Sequence, residues 1–331
     1  MGAPDAGLQR RQFLATGALA LAGCNPAPRP IEGGFTGIAL ERGHLLRDAR
    51  PPGAPTVTRR VHTLIAGGGV AGLAAARALR QRGVDDVALL ELEDSAGGNS
   101  RGGVLGGIAC PLGAHYLPVP GDAAHEVQDL LEELGLRQRV AGRWVVDERH
   151  LCNSPQERLF FDGPDGPAWQ DGLLPVQGVG DATLAQYRRF AQAVDAQATA
   201  ARFAMPALAL WTAQRPLAPA HLALDAIPFS AWLAQQGLDD PHLRWYLDYC
   251  CRDDYGAGVS RVSAWAGIHY FASRHGFQAP GEGGDEGRES VLTWPEGNGW
   301  ITERLAAPLR AGGQLHAATS VLRITEGRHG V

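Results

Sequence analysis

Apolar and polar positions along the chain follow two periods. Residues 61–66 form a short apolar run of strand length. Residues 73–82 are Ala- and Leu-rich with Arg between, a helical composition that Gly83 stops. Residues 87–90 are a second apolar run ending at Glu91. Within 123–134, Val127, Leu130, Leu131 and Leu134 lie three and four apart, an amphipathic helix closed by Gly135. Apolar pieces in 144–159 read as strands, and the prolines and glycines of 163–180 as loop. A long helix is predicted over 181–202 with Asp181 as its N-cap. Proline-interrupted fragments and turns fill 206–228. Helices follow at 230–236, 241–253 and 262–274, then a glycine- and glutamate-rich loop at 278–290, a short helix at 301–307 and a strand over 314–324.

The first strand and helix are joined by Gly67, Gly69 and Gly72, at G-x-G-x-x-G spacing. In a chain with 44 glycines that spacing alone says little. The strand before, the helix after and the acid make it specific. Gly67 suits the tight turn, Gly69 lets backbone approach a pyrophosphate, and Gly72 lets helix and strand pack closely. The helix N-terminus then offers free N–H groups to phosphate. Glu91, 19 residues after Gly72, ends the second strand, where a carboxylate can accept ribose hydroxyls. The unit reads as a dinucleotide site.

Composition narrows the class. The 331 residues are 45% hydrophobic and 20% charged, ordinary for one large or two medium globular domains. Net charge is −5, and all 30 basic residues are Arg. No basic cluster extends beyond Arg10-Arg11 and Arg59-Arg60, so no nucleic-acid partner is expected. The Arg10-Arg11 pair precedes an apolar stretch, 13–23, too short to span a bilayer but the length of a signal's apolar region. It resembles a bacterial twin-arginine export signal. Leu21-Ala22-Gly23-Cys24 resembles a lipobox, which implies that Cys24 is lipidated; the alternative is a cleaved signal with an incidental Cys. On this reading 1–24 is the signal and 25–58 a linker. The protein is exported by the twin-arginine machinery to the periplasm and held at a membrane surface by its lipid. A dinucleotide loaded in the cytoplasm then travels inside the folded chain. Cys110, Cys152, Cys250 and Cys251 could form disulfides there, though sequence cannot pair them, and Cys250-Cys251 read as packing residues. No C-x-x-C or H-x-x-x-H spacing occurs, so no metal site is expected.

Gly97-Gly98 follows six residues beyond Glu91, then Asn99, Ser100 and Arg101. Strand, glycine turn, helix, strand, acid and Gly-Gly in this order resemble the FAD-binding unit of the flavin-containing amine oxidase and phytoene desaturase superfamily. The resemblance implies an α/β fold: a Rossmann-like FAD-binding domain, a parallel sheet with helices, and an inserted, mainly helical substrate domain. The expected parts are 59–150 (FAD-binding), 151–290 (helical) and 291–331 (return to the FAD domain). The segment after the doublet would pass beneath the diphosphate, with Arg101 as a cation there or else a solvent-facing Arg. Residues 106–116 resemble the glycine-containing strand that approaches the flavin ring, at Gly113. His115 beside it reads as a flavin or substrate contact, or as a structural histidine. The chain departs from the amine oxidase pattern at Glu93 and Asn99, where the family commonly carries Arg. Val321 holds the place whose backbone meets adenine in the family. Tyr249, Asp253, His269 and Tyr270 are candidates for lining the substrate chamber, set among aromatics whose helical spacing also fits a core.

The implied function is an FAD-dependent oxidoreductase that moves hydride from a substrate C–H, next to an amine nitrogen, to flavin N5. Oxygen or another acceptor would reoxidise the flavin. The alternatives are a desaturase acting on C–C bonds and a flavin-binding lipoprotein without turnover. No second glycine unit with its own strand and acid suggests an NAD(P)H domain. Family chains continue beyond the equivalent of Val331, so the sequence reads as C-terminally truncated and no catalytic residue is named.

Overall fold

The computed structural model describes residues 33–47, 53–54, 56–120, 124–141, 143–152, 157–163, 166–201, 219–273, 276–281, 291–328 and 330. Within the expected linker, a short helix α1 (Leu40–His44) docks on the domain that follows. Strand β1 (Thr63–Ala66), helix α2 (Val70–Gln81) and strand β2 (Val87–Leu90) then form a β–α–β unit. β1 and β2 run parallel, with Thr63 beside Val87 and Ala66 beside Leu90. α2 starts three residues before the expected helix, because the glycine turn itself winds into its first turn.

β3 (Gly102–Leu105) and β4 (Ile108–Pro111) make a hairpin through Gly106 and Gly107, whose φ values are 58° and 82°. The primed turn this requires suits glycine. β5 (Tyr116–Pro118) and α3 (His125–Glu133) follow, then the hairpin β6 (Arg137–Val140) and β7 (Arg143–Val146), and β8 (Leu151–Cys152). The expected loop at 163–180 is partly wrong. β9 (Arg158–Gly163) pairs in antiparallel register with β10 (Gly166–Asp171), and Phe160 meets Trp169 at 5.0 Å between ring centres. Cross-strand aromatic contact overrides the local turn signals.

The helical part comprises α4 (Asp181–Ala201), α5 (Pro219–Asp225), α6 (Phe229–Gln235), α7 (Pro241–Tyr255) and α8 (Ala264–Ala272). Asp181 is the first residue inside α4, and Gly180 precedes it. Tyr187, Phe190, Val194, Phe229, Trp232, Leu247 and Ile268 fill one core among these helices. Gly267 permits α8 to lie on the Phe229 ring, since a Cβ there would overlap the ring. Asp240 caps α7 by accepting from the backbone N–H groups of His242 and Leu243, with Pro241 behind it. Thr183 donates to the same carboxylate at 2.7 Å, tying α4 to α7.

β11 (Val291–Thr293) brings the chain back, pairing with β5 on one side and β8 on the other. α9 (Gly299–Ala311) and β12 (Leu315–His316) follow and return to the sheet of β1 and β2. β12 joins β2 in parallel, giving the order β1-β2-β12. The expected strand over 314–324 shrinks to two residues because Ala318 turns into the left-handed region at φ 53°. A second core, of Leu73, Leu89, Leu131, Leu292, Leu305 and Leu309, lies between this sheet and α2, α3 and α9. No helix among the described residues is long and apolar enough to cross a membrane.

Candidate functional site

The site is built where β1 and β2 end. Gly67 sits at φ 103°, with its N–H bonded to the Leu90 carbonyl at 2.8 Å. A Cβ on Gly72 would overlap the Gly67 carbonyl oxygen, so only glycine lets α2 leave the strand so steeply. Gly69 caps α2. The first N–H groups of this 12-residue helix have no partner within it, and its dipole is positive there.

The second glycine loop folds onto the first. Gly97 donates to the Gly68 carbonyl at 2.7 Å, and Gly69 and Gly97 form an isolated parallel bridge. Gly97 and Gly98 have φ values of 131° and 56°. A Cβ on Gly98 would lie 3.0 Å from the Gly69 α-carbon. The doublet thus presents bare backbone to bare backbone at the head of α2, a cradle that side chains would fill and a diphosphate fits.

Glu91 is buried beneath this cradle, 6% exposed. Its Oε2 accepts from the Gly68 N–H at 2.6 Å and its Oε1 from the Glu93 N–H at 2.8 Å. An ionised carboxylate has about four acceptor positions, so both oxygens retain capacity for a hydroxyl. Glu91 therefore braces the first loop. Sequence reasoning named the acid but missed this bracing and Gly68; the three consecutive glycines at 67–69 were the available signal.

Arg101 is not a free cation. Its Nε donates to the Gly98 carbonyl at 3.1 Å, and a terminal nitrogen lies 3.7 Å from Glu93 Oε2. Glu93 and Asn99 both have structural partners. Asn99 accepts from the Ala114 N–H at 2.8 Å, and a Cβ on Gly113 would overlap the Asn99 backbone. The close approach visible at Gly113 is to Asn99. His115, next along, is exposed, with its ring edge-on to Tyr116 at 4.9 Å.

The turn at 297–299 holds this connection between β4 and β5 from the other side. Gly297, at φ 60°, lies against Pro111 and Ala114, and Asn298 bonds to the Ala114 and Tyr116 carbonyls. Thr302 on α9 donates to the Ser100 carbonyl at 2.9 Å. Thr302 was missed because nothing local marks it: its partner is 202 residues away. Beyond β12, Ala318 and Thr319 donate to the Glu93 and Glu91 carbonyls, which brings the chain over the end of β2 just before Val321.

The other candidates divide into groups. Tyr249 and Asp253 lie one turn apart on α7. Burial raises the Tyr249 phenol, and the charge of Asp253, with Glu157, Cys250 and Tyr116 beyond it, pushes the same way. Tyr249 also stacks on Trp245 at 6.1 Å. Tyr270 instead joins Tyr246 at the Cys250 thiol, whose pKa burial pushes up to about 12. His269 stacks on Trp265 at 4.8 Å, and Trp265 donates to His221. Most of the aromatic set is thus core of the helical part. Among the described residues no group of three or more His, Cys, Asp or Glu is placed to hold a metal ion. Arg10, Arg11 and Cys24 lie outside the described residues.

A family model described as flavin containing amine oxidoreductase matches residues 70–331. No curated protein matches. Among solved structures, a wild-type putrescine oxidase bound to putrescine is similar over 79% of this chain and 51% of its own, with 21% identity and a TM-score of 0.56. A double mutant of putrescine oxidase is similar over 77% of this chain, at 21% identity and a TM-score of 0.55. An oxidoreductase from Methanosarcina mazei is similar over 80% of this chain and 53% of its own, with 16% identity and a TM-score of 0.50. The chain spans about half the length of these structures, and at such identities the likeness is one of fold.

Proposed function

Since the chain belongs to the flavin-containing amine oxidoreductase family, we propose that it is an FAD-dependent oxidoreductase that takes hydride from a C–H next to an amine nitrogen. The observation that carries this reading is the apposition of Gly69 and Gly98 at the head of α2, above a buried Glu91. Gly67, Gly69, Gly72, Gly97 and Gly98 hold the diphosphate on bare backbone and the α2 N-terminus. Glu91 accepts from the ribose, and Val321 offers main chain to adenine. Bound flavin would supply the hydride acceptor at N5, with oxygen or another acceptor for its reoxidation. Gly113 and His115, on the connection between β4 and β5, would face the ring, and Arg101 orients the doublet through Gly98. Tyr249 and Asp253 supply the amine-recognising side, because a carboxylate draws a cationic amine toward the site.

The twin-arginine pair and the lipobox support export with the cofactor already loaded and attachment through Cys24. Membrane-fraction partitioning that persists in Cys24→Ser would sink the lipid attachment. The enzymatic reading is tested by purifying the full chain, recording its flavin absorbance, and mixing it anaerobically with mono-, di- and polyamines. Bleaching by an amine is the expected result. A yellow protein that no amine bleaches counts against turnover, and a colourless protein that takes up no FAD counts against the whole reading.

A further inference from the structure

Residues 33–47 precede the dinucleotide unit and nothing in the G-x-G-x-x-G logic requires them, yet they are fastened to its most sensitive segment. The fastening is at residues 92–94, which join the acid Glu91 to the Gly97-Gly98 doublet. Arg42 of α1 donates from Nε to the Leu92 carbonyl at 2.8 Å and pairs with Asp94 at 2.6 Å. The Ala39 N–H donates to Glu93 Oε2 at 2.7 Å. That carboxylate oxygen also faces Arg101, which holds the Gly98 carbonyl. Gly37 completes the dock against Leu112 and the Arg101 guanidinium.

An unbroken chain of contacts thus runs from the Ala39 N–H through Glu93 and Arg101 to Gly98. The Glu93 and Arg101 side chains are only 16% and 14% exposed, so water screens this chain little. Gly98, at φ 56°, takes a left-handed conformation that glycine reaches as readily as its alternatives, so its position is set by what holds its carbonyl and not by its own backbone preference. We propose that residues 33–47 are a strap belonging to the dinucleotide site, with Ala39, Arg42, Glu93 and Arg101 as positioning residues that hold the glycine doublet closed on a bound dinucleotide. The acid at 93 is what lets this chain anchor a backbone N–H from upstream and neutralise Arg101 at once.

The inference rests on the FAD reading and is testable apart from it. If the strap stabilises bound FAD, bound FAD must stabilise the strap to the same extent. In the full-length parent protein, saturating FAD should slow tryptic cleavage after Arg42 and Arg47 by about ten-fold, the factor of one charge-assisted hydrogen bond. Glu93→Gln, and separately Arg42→Ala at the more exposed pair, should release FAD several-fold faster on dilution. They should also lose the FAD-dependent protection, read after both arginines in Glu93→Gln and after Arg47 alone in Arg42→Ala. Ala39→Pro removes the N–H, moves φ from −90° toward proline's value of about −65°, and should release FAD faster and lose the protection likewise. A parent that binds FAD but is cut equally fast with and without it overturns the strap, as do variants that retain FAD like the parent. A parent that binds no FAD fails at the earlier step.

Discussion

Gly72 leaves no room for a methyl group, because a Cβ there would overlap the Gly67 carbonyl oxygen. The obstruction is backbone, which cannot swing aside. Gly72→Ala should therefore cost about 3 kcal/mol, the upper range for overpacking, and lower the melting temperature of the apo-protein while reducing flavin content. Glu91 differs in kind, since it satisfies two backbone donors before any ligand arrives. Glu91→Ala should weaken FAD retention and also destabilise the apo-protein by about 1–3 kcal/mol, the range for one orphaned donor. Unchanged retention would remove the ribose assignment, and an unchanged apo melting point would remove the bracing. At Ala318, a non-glycine residue at φ 53° bears a cost of about 1 kcal/mol, so Ala318→Gly should raise the melting point slightly.

Among the elements, the junction of α4 with α7 turns on one carboxylate. Burial opposes ionisation of Asp240, but the Thr183 hydroxyl and the Leu243 and His242 N–H groups outweigh it and hold its pKa below 3.8. A folded pKa below the unfolded one adds stability that is fully present above the unfolded value and is lost as pH falls through the folded value. Asp240→Ala should cost about 1–2 kcal/mol at pH 7, and this difference should shrink below 3.8. Urea unfolding at neutral and acid pH checks it. A difference that stays constant across that range would exclude the carboxylate's charge as its source.

The whole molecule carries two cores, one under the dinucleotide sheet and one among the helices. β11, which pairs with β5 and β8, adds Leu292 to the first of them. Burial raises Cys250 and Cys251 to about 12 and withholds their thiolates at neutral pH, while Cys110 and Cys152 are half-buried thiols. A thiol reagent should label Cys110 and Cys152 in the folded protein and reach Cys250-Cys251 only once the helical core opens. Labelling all four at equal rates would contradict that core.

Local rules determined the β–α–β unit: β2 occupies the predicted 87–90, and the glycines and Glu91 stand where G-x-G-x-x-G geometry requires. They also determined the order of the helices from 181 onward, because amphipathic spacing and caps are written in neighbouring residues. Tertiary structure alone decided the folding of Gly97-Gly98 onto Gly68-Gly69, the pairing of Glu93 with Arg101, and the reach of Thr302 to Ser100. Each joins residues that no period links, and a carboxylate's partner depends on which backbone comes to lie beside it. The strand predicted over 314–324 fails for the same reason. Its apolar pattern suits a strand, but β2 pairs only with Leu315–His316, and beyond them the backbone donates instead to the carbonyls of Glu91 and Glu93.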